Sequence, residues 1–118
     1  MSTSYSDLSI SLTRQISKTE KQNNGIYFTP PSTILRNMDI LKPYMKNVRR
    51  VLEPSCGSCE YITALCSRYS NLDITGIEFN KTIYQSIQNL ATEKIMLYNE
   101  DFLKRQNSGG YDLILGNP

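Results

Sequence analysis

Three carboxylates, one small-residue turn and one asparagine carry the chemistry legible in this 118-residue chain. Glu53 enters the turn Pro54-Ser55-Cys56-Gly57-Ser58. Glu78 stands about twenty residues beyond Gly57, the offset at which a carboxylate accepts from ribose hydroxyls in nucleotide-type sites. Phe79 beside it offers a ring face to a purine, and Asp101, followed by Phe102, offers an acceptor to an exocyclic amino group. Asn117 and Pro118 add a side-chain amide and a carbonyl. The turn lacks G-x-G-x-x-G and has Cys59 where the second glycine would stand. A pyrophosphate needs close backbone approach, which glycine supplies, and the Glu53 charge opposes it. The same turn suits a cationic nucleoside without phosphate. S-adenosylmethionine (SAM), with its adenosine, sulfonium and amino group, meets that description.

The turn alone is also what an ordinary strand-to-helix connection capped by Ser58 looks like. Each acid alone fits a solvated loop. Placement at the ends of successive strands is what unites them, so the elements decide the matter. Val48–Glu53 reads as the first core strand, stopped at Pro54, which has no N–H to donate. A helix beginning near Ser58 turns free N–H groups toward the turn. It covers residues 60–69, with Ile62, Leu65 and Cys66 expected inside. Leu72–Glu78 reads as the second strand and Lys81–Thr92 as the next helix, with Ile83, Ile87 and Leu90 inward. Ile95–Tyr98 is the third strand. A loop at Asn107–Gly110 precedes the fourth, Tyr111–Leu115.

Upstream, Leu8, Leu12 and Ile16 recur at intervals of four, which predicts a short amphipathic helix over Asp7–Glu20 within a polar segment, residues 1–24. Ile26-Tyr27-Phe28 is extended. Thr29 is a fair N-cap with Pro30 at the first helical position. The helix Pro31–Leu41 then presents Ile34, Leu35, Met38 and Leu41 on one face and ends at Pro43. Strands alternating with helices give an α/β class, and right-handed crossovers give a doubly wound, Rossmann-like parallel sheet over residues 25–118.

Composition sets the bounds. Hydrophobic residues make up 39% and charged residues 20% of the chain, enough for one small core. No apolar run approaches membrane-spanning length, and the N-terminus has no signal-peptide pattern, so no membrane partner and an intracellular location are expected. The net charge is +2, but residues 1–50 hold eight Lys/Arg against three acids, and the rest hold five against eight. A basic leading segment is compatible with a polyanion partner, and equally with a solvated surface. Cys56-Gly57-Ser58-Cys59 spells C-x-x-C. Only Cys66 remains as a further soft donor and there is no histidine, so no metal is expected and the thiols are expected reduced.

At this point the resemblance becomes specific. Over residues 24–118 the chain resembles the cofactor-binding part of an adenine-specific (N6) DNA methyltransferase of the gamma-type motif order. Gly25-Ile26-Tyr27-Phe28-Thr29-Pro30-Pro31 resembles the family's F-x-T-P element, which closes over the methionine end of SAM. Glu53-Pro54-Ser55-Cys56-Gly57-Ser58 resembles its main SAM loop, with Cys59 in place of the usual glycine. Gly76-Ile77-Glu78-Phe79-Asn80 resembles the ribose-binding motif, and Asn99-Glu100-Asp101-Phe102-Leu103 the adenine-binding one. Tyr111-Asp112-Leu113-Ile114-Leu115-Gly116-Asn117-Pro118 resembles the lead into N-P-P-Y/F.

The resemblance implies SAM as cofactor and Tyr27, Phe28, Thr29, Pro30, Glu53, Pro54, Ser55, Cys56, Gly57, Glu78, Phe79, Asp101 and Phe102 as residues that bind it. It implies that Asn117 and Pro118 accept the two amino hydrogens of a flipped-out adenine. Duplex DNA is the implied partner, with a target-recognition part, fused or as a second subunit, following residue 118. The 118 residues alone are then expected to be catalytically silent, with Leu113 and Leu115 poorly covered on one side. Two other readings share the motifs: a methyltransferase acting on protein glutamine or on RNA amino groups, and a SAM-binding subunit without turnover.

Overall fold

The computed structural model describes residues 6–15, 28–106 and 109–116. Four short runs rich in aliphatic and β-branched residues pair in parallel: β1 (Arg50–Glu53), β2 (Asp73–Ile77), β3 (Ile95–Tyr98) and β4 (Leu113–Ile114). Their order is β3-β2-β1-β4. The chain therefore runs outward from β1 through β2 to β3, then returns to lay β4 on the other side of β1. This reversal is the topological switch point of an open α/β sheet.

Register explains which face is buried. Val51 pairs with Ile74 and Leu113, and Ile74 pairs with Ile95. Side chains alternate along a strand, so this row shares one face. That face forms the main core with Ile34, Met38, Ile62, Leu65 and Ile87 of the helices. Leu65 is fully buried, and truncating it to alanine is expected to cost about 2–5 kcal/mol. The opposite face carries Met96 and Ile114, which are 48% and 60% exposed. It is crossed by the β3–β4 connection, where Arg105 stacks on Tyr98 and Arg50 on Tyr111, at 4.6 and 4.9 Å from the ring centroids.

Helix α1 (Asp7–Gln15) is the described part of the amphipathic stretch, with Leu12 fully buried against Ile83 and Phe28. Ile16 and residues 16–20 lie outside the described residues. Helix α2 (Pro31–Leu41) has the expected bounds, but Pro30 is its N-cap, Pro31 occupies the first turn, and Thr29 is buried rather than capping. Pro43 does not stop the chain from coiling. A 3-10 stretch, Lys42–Asn47, follows, because proline is tolerated in a first turn whose N–H groups need no partner.

Helix α3 (Glu60–Arg68) starts at Glu60 as expected and ends one residue earlier, before Tyr69. Its cap is Cys59, in the left-handed conformation with φ 64°, whose side chain makes no hydrogen bond to the helix N-terminus. Cys66 faces solvent, and the buried side of the helix is formed by Tyr61, Ile62 and Leu65. Helix α4 (Lys81–Ile87) is shorter than expected and finishes as a 3-10 turn, Gln88–Leu90, leaving Leu90 half-buried. The strands are trimmed too: β1 omits Val48 and Arg49, and β4 keeps two residues. Leu113 and Leu115 pack on the core, so the bare apolar side chain of β4 is Ile114.

Candidate functional site

Pro54 ends β1 and the chain turns at once, because nothing after Glu53 can continue the ladder. Gly57 adopts φ 54°, a conformation cheap only for glycine, and this aims its N–H away from the helix. The N–H reaches Glu78 Oε1 at 2.9 Å, while Glu78 Oε2 accepts from Asn80 N at 2.8 Å. Cys56 N donates to Ile77 O at 2.9 Å. The turn after β1 and the end of β2 are thus one hydrogen-bonded unit. Gly76 allows the approach, since a Cβ there would stand 2.8 Å from Ile62 Cδ1 and 3.3 Å from Cys56 Sγ.

Two cavities open on this unit at the carboxyl ends of the strands. The larger, about 620 Å³, has Glu53, Pro54 and Ser55 from the first turn and Phe79 after β2. Asp101 and Phe102 after β3 and Ile114 and Gly116 of β4 complete its walls. The smaller, about 20 Å³, is lined by Phe28, Thr29, Cys56, Gly57, Ser58 and Tyr61, and shares Glu53 and Ser55 with the first. Phe79 is 68% exposed at the mouth, a free ring face. Pro30 lines neither cavity, and Glu78 lies under the turn rather than on the wall. Tyr27, Asn117 and Pro118 lie outside the described residues.

The electrostatics favour a cation. Burial pushes the Glu53 carboxyl up to about 8, against the Ser55 N–H that lowers it, and nearby Glu78 raises it further. Glu53 is only 2% exposed, so an uncompensated charge there is costly. Burial also raises Glu78, opposed by the N–H groups of Asn80, Gly57 and Phe79. Both carboxyls gain from an incoming positive charge. The thiol of Cys56 is held far above its usual range by its hydrogen bond to Cys59, by burial and by the two glutamates. It is therefore a neutral thiol at physiological pH. Among the described residues no group of three or more His, Cys, Asp or Glu is placed to hold a metal ion.

Several site residues carry no motif of their own. Gly116 lets Glu53 sit against β4, since a Cβ there would fall 2.2 Å from Glu53 Oε1. Asn99 Nδ2 donates to the carbonyls of Glu78 and Phe79 at 2.8 and 3.1 Å and sets the loop that carries Phe79. Tyr61 accepts from Asn37 at 2.6 Å, locking α2 to α3. Glu60 Oε1 accepts from Ser6 at 2.5 Å, from Ser58 at 2.7 Å and from Ser9, tying α1 to the turn. The only trace of this cluster in the sequence is a glutamate two residues after a serine. Asp101 caps the 3-10 turn Phe102–Lys104 through Leu103 N at 3.0 Å, which orients Phe102 beside the crevice.

No family model matches the chain. In sequence it is similar to a type II methyltransferase, M.CvrRI, of Paramecium bursaria Chlorella virus XZ-6E, 26% identical over 97% of this chain and 29% of that protein. It is likewise similar to the modification methylase CviBIII of Paramecium bursaria Chlorella virus NC1A, 29% identical over 97% of this chain and 30% of the relative. The HindI methylase subunit of a type I restriction enzyme of Haemophilus influenzae is 31% identical over 88% of this chain and 26% of its own length. The chain thus spans roughly three-tenths of the curated relatives it matches. In structure it is similar to SAM-bound CalS10, an amino pentose methyltransferase from Micromonospora echinaspora, with TM-score 0.60 and 12% identity over 97% of this chain and 43% of that one. The fold is the Rossmann-like fold of SAM-dependent methyltransferases.

Proposed function

We propose that this chain binds SAM in the crevice at the switch point between β1 and β4 and forms the cofactor-binding part of an intracellular DNA adenine-N6 methyltransferase. One observation carries the reading: the buried Glu53 carboxyl, held near 8, stands in a crevice that Phe79, Phe102 and Ile114 line with apolar surface and Asp101 and Glu100 with further carboxylates. A cavity of about 620 Å³ accommodates a nucleoside-sized ligand, within the usual span of roughly 300–1,000 Å³ for small-molecule sites. Apolar walls take an adenine ring, Asp101 takes its amino group, and Glu53 takes a positive charge.

Bound there, SAM supplies an electrophilic methyl group. Glu53 gives up its proton to face the cation, and the crevice walls exclude water from that pair. Glu78 lies beneath the turn with the N–H groups of Gly57, Asn80 and Phe79 as partners, so the ribose contact proposed for it requires the turn to open toward its remaining lone pairs. Residues 25–118 act as one cofactor domain behind the polar segment 1–24. Asn117 and Pro118, following Gly116 at the mouth, are the residues proposed to accept the amino hydrogens of a flipped adenine. Their acceptance localises the nitrogen lone pair, so catalysis is by positioning and hydrogen bonding. The relatives named as methyltransferase and modification methylase support DNA as the substrate, and since this chain spans only about three-tenths of them, the proposed target recognition is assigned to a further segment or subunit.

Calorimetry with SAM, S-adenosylhomocysteine and NAD tests the cofactor reading. Micromolar SAM binding with no NAD binding is expected, and the reverse order refutes it. Tritiated-methyl transfer to duplex DNA, with and without the rest of the parent protein, tests the substrate. Label recovered in N6-methyladenine only when both parts are present is the expected result. Label in protein glutamine or RNA instead would replace DNA as the substrate.

A further inference from the structure

A second cleft, about 490 Å³, lies at the other end of the sheet. Its walls include Lys42, Lys46 and Arg49 on one side and Arg68, Tyr69 and Asn71 on the other. Lys42 and Lys46 belong to the 3-10 stretch after α2, Arg49 immediately precedes β1, and Asn71 lies in the α3–β2 turn. The cleft therefore opens at the amino ends of β1 and β2, whereas Glu53 and Glu78 stand at the carboxyl ends. Strands of four or five residues separate the two by about 15 Å.

The charge of this cleft is one-sided. No acidic residue lines it. Arg68 pairs with Asp39 at 3.6 Å, and the Asp112 carboxylate accepts from the backbone N–H groups of Arg49 and Arg50. The side chains of Lys42, Lys46 and Arg49 make no ion pair or hydrogen bond among the described residues, and all three are exposed. Lys42 and Lys46 have no acidic partner and Arg49 has only the exposed Asp112 carboxylate nearby, so these cations on a concave surface repel one another, which an anionic ligand relieves. Tyr69 adds a half-buried aromatic face, and Asn71 an amide donor.

We propose that this cleft binds the phosphate backbone of nucleic acid, as a contact separate from the cofactor crevice. Serial phosphates match cations spread along two walls, and sugar or base surfaces match the tyrosine ring. The choice of nucleic acid over another polyanion rests on the DNA reading above. The contact is sequence-independent, because nothing in the cleft reads base edges. It holds the protein on DNA while leaving the carboxyl ends of the strands free.

The test is fluorescence anisotropy of the 118-residue chain with a labelled duplex of arbitrary sequence, at salt from 20 to 300 mM. The double variant Lys42→Ala/Lys46→Ala is compared with Lys81→Ala/Lys94→Ala, which removes equal charge from elsewhere. The first should weaken binding about tenfold and lower the slope of log affinity against log salt by about 2, since each phosphate contact contributes about 0.9. The second should stay within about twofold of the parent. If the double variant melts early, Lys46→Ala and Arg49→Ala singly should each remove about one unit of slope. Equal losses in both double variants would overturn the site in favour of diffuse attraction. Poly-L-glutamate bound as tightly as the duplex, and lost in the same variant, would overturn it in favour of an acidic peptide. SAM affinity should be the same in parent and Lys42→Ala/Lys46→Ala. A parent that ignores SAM yet binds DNA through these lysines would sink the crevice reading and support this one.

Discussion

Replacing Glu53 by glutamine isolates the group on which the site turns. Glutamine keeps the shape and the acceptor for Ser55 N–H, at 3.3 Å in the parent, and cannot ionise. The folded-state value of Glu53, about 8, lies above the ordinary 4.5. A raised carboxyl binds its proton more tightly in the folded state, so its contribution is fully present below pH 4.5 and is lost as pH rises through 8. At about 1.4 kcal/mol per pH unit, the loss amounts to roughly 3 kcal/mol by pH 7 and 5 kcal/mol above pH 8. Glutamine at this position has no such loss. Urea denaturation of parent and Glu53→Gln at pH 4.5, 7 and 9 reads the difference directly. The variant's relative stability should climb by several kcal/mol across that range. Glu78 titrates in both proteins and largely cancels. In the same variant SAM affinity should fall, and parent binding at pH 7 should release close to one proton, seen by calorimetry in buffers of different ionisation enthalpy. A stability difference that does not change with pH would refute a buried, protonated Glu53 and the argument built on it.

Three further outcomes follow from the geometry. Glu78→Ala frees the Gly57 and Asn80 N–H groups and removes the ribose acceptor, so SAM affinity should drop by roughly 1–3 kcal/mol, and unchanged calorimetry would take Glu78 out of the site. Gly116→Ala places a Cβ 2.2 Å from Glu53 Oε1 and should displace the carboxylate, weakening SAM binding more than tenfold while the melting temperature moves by only a few degrees. An unaltered SAM titration would mean that the β4 end yields freely. Ser9→Ala removes a buried hydroxyl shared by Ser58 and Glu60 and should cost about 1 kcal/mol, with faster amide exchange over Asp7–Gln15 than over β1. Exchange unchanged in α1 would show that Leu12 alone anchors it.

Periodicity and punctuation were enough to read the elements. Ile34, Leu35, Met38 and Leu41 marked α2 because a helix repeats its apolar face every three or four residues, and Ile95–Tyr98 stood out as an apolar run between polar turns. The alternation of strand and helix sufficed for a parallel sheet, since parallel neighbours need crossovers. The acids at strand ends were legible for the same reason. Pro43 marks the end of α2 at Leu41, whereas Pro30 misled, because proline's lack of an N–H fits the N-cap as well as the first turn. Cys66 misled because the buried face of α3 runs through Tyr61, Ile62 and Leu65, and Cys66 stands about 140° round the helix from Tyr61.

The chain's order along the sequence therefore determined the fold class and the residues offered to a ligand. Only the tertiary structure decided how they meet. Gly57 reaches Glu78, Gly116 makes room for Glu53, and Ser6, Ser9 and Ser58 converge on Glu60 across long stretches of chain. Those contacts depend on register and crossing geometry, which no local pattern encodes. The protonation of Glu53 depends on them too: a carboxyl is pushed up by the burial that folding imposes, and a residue's own sequence neighbours carry no record of that burial.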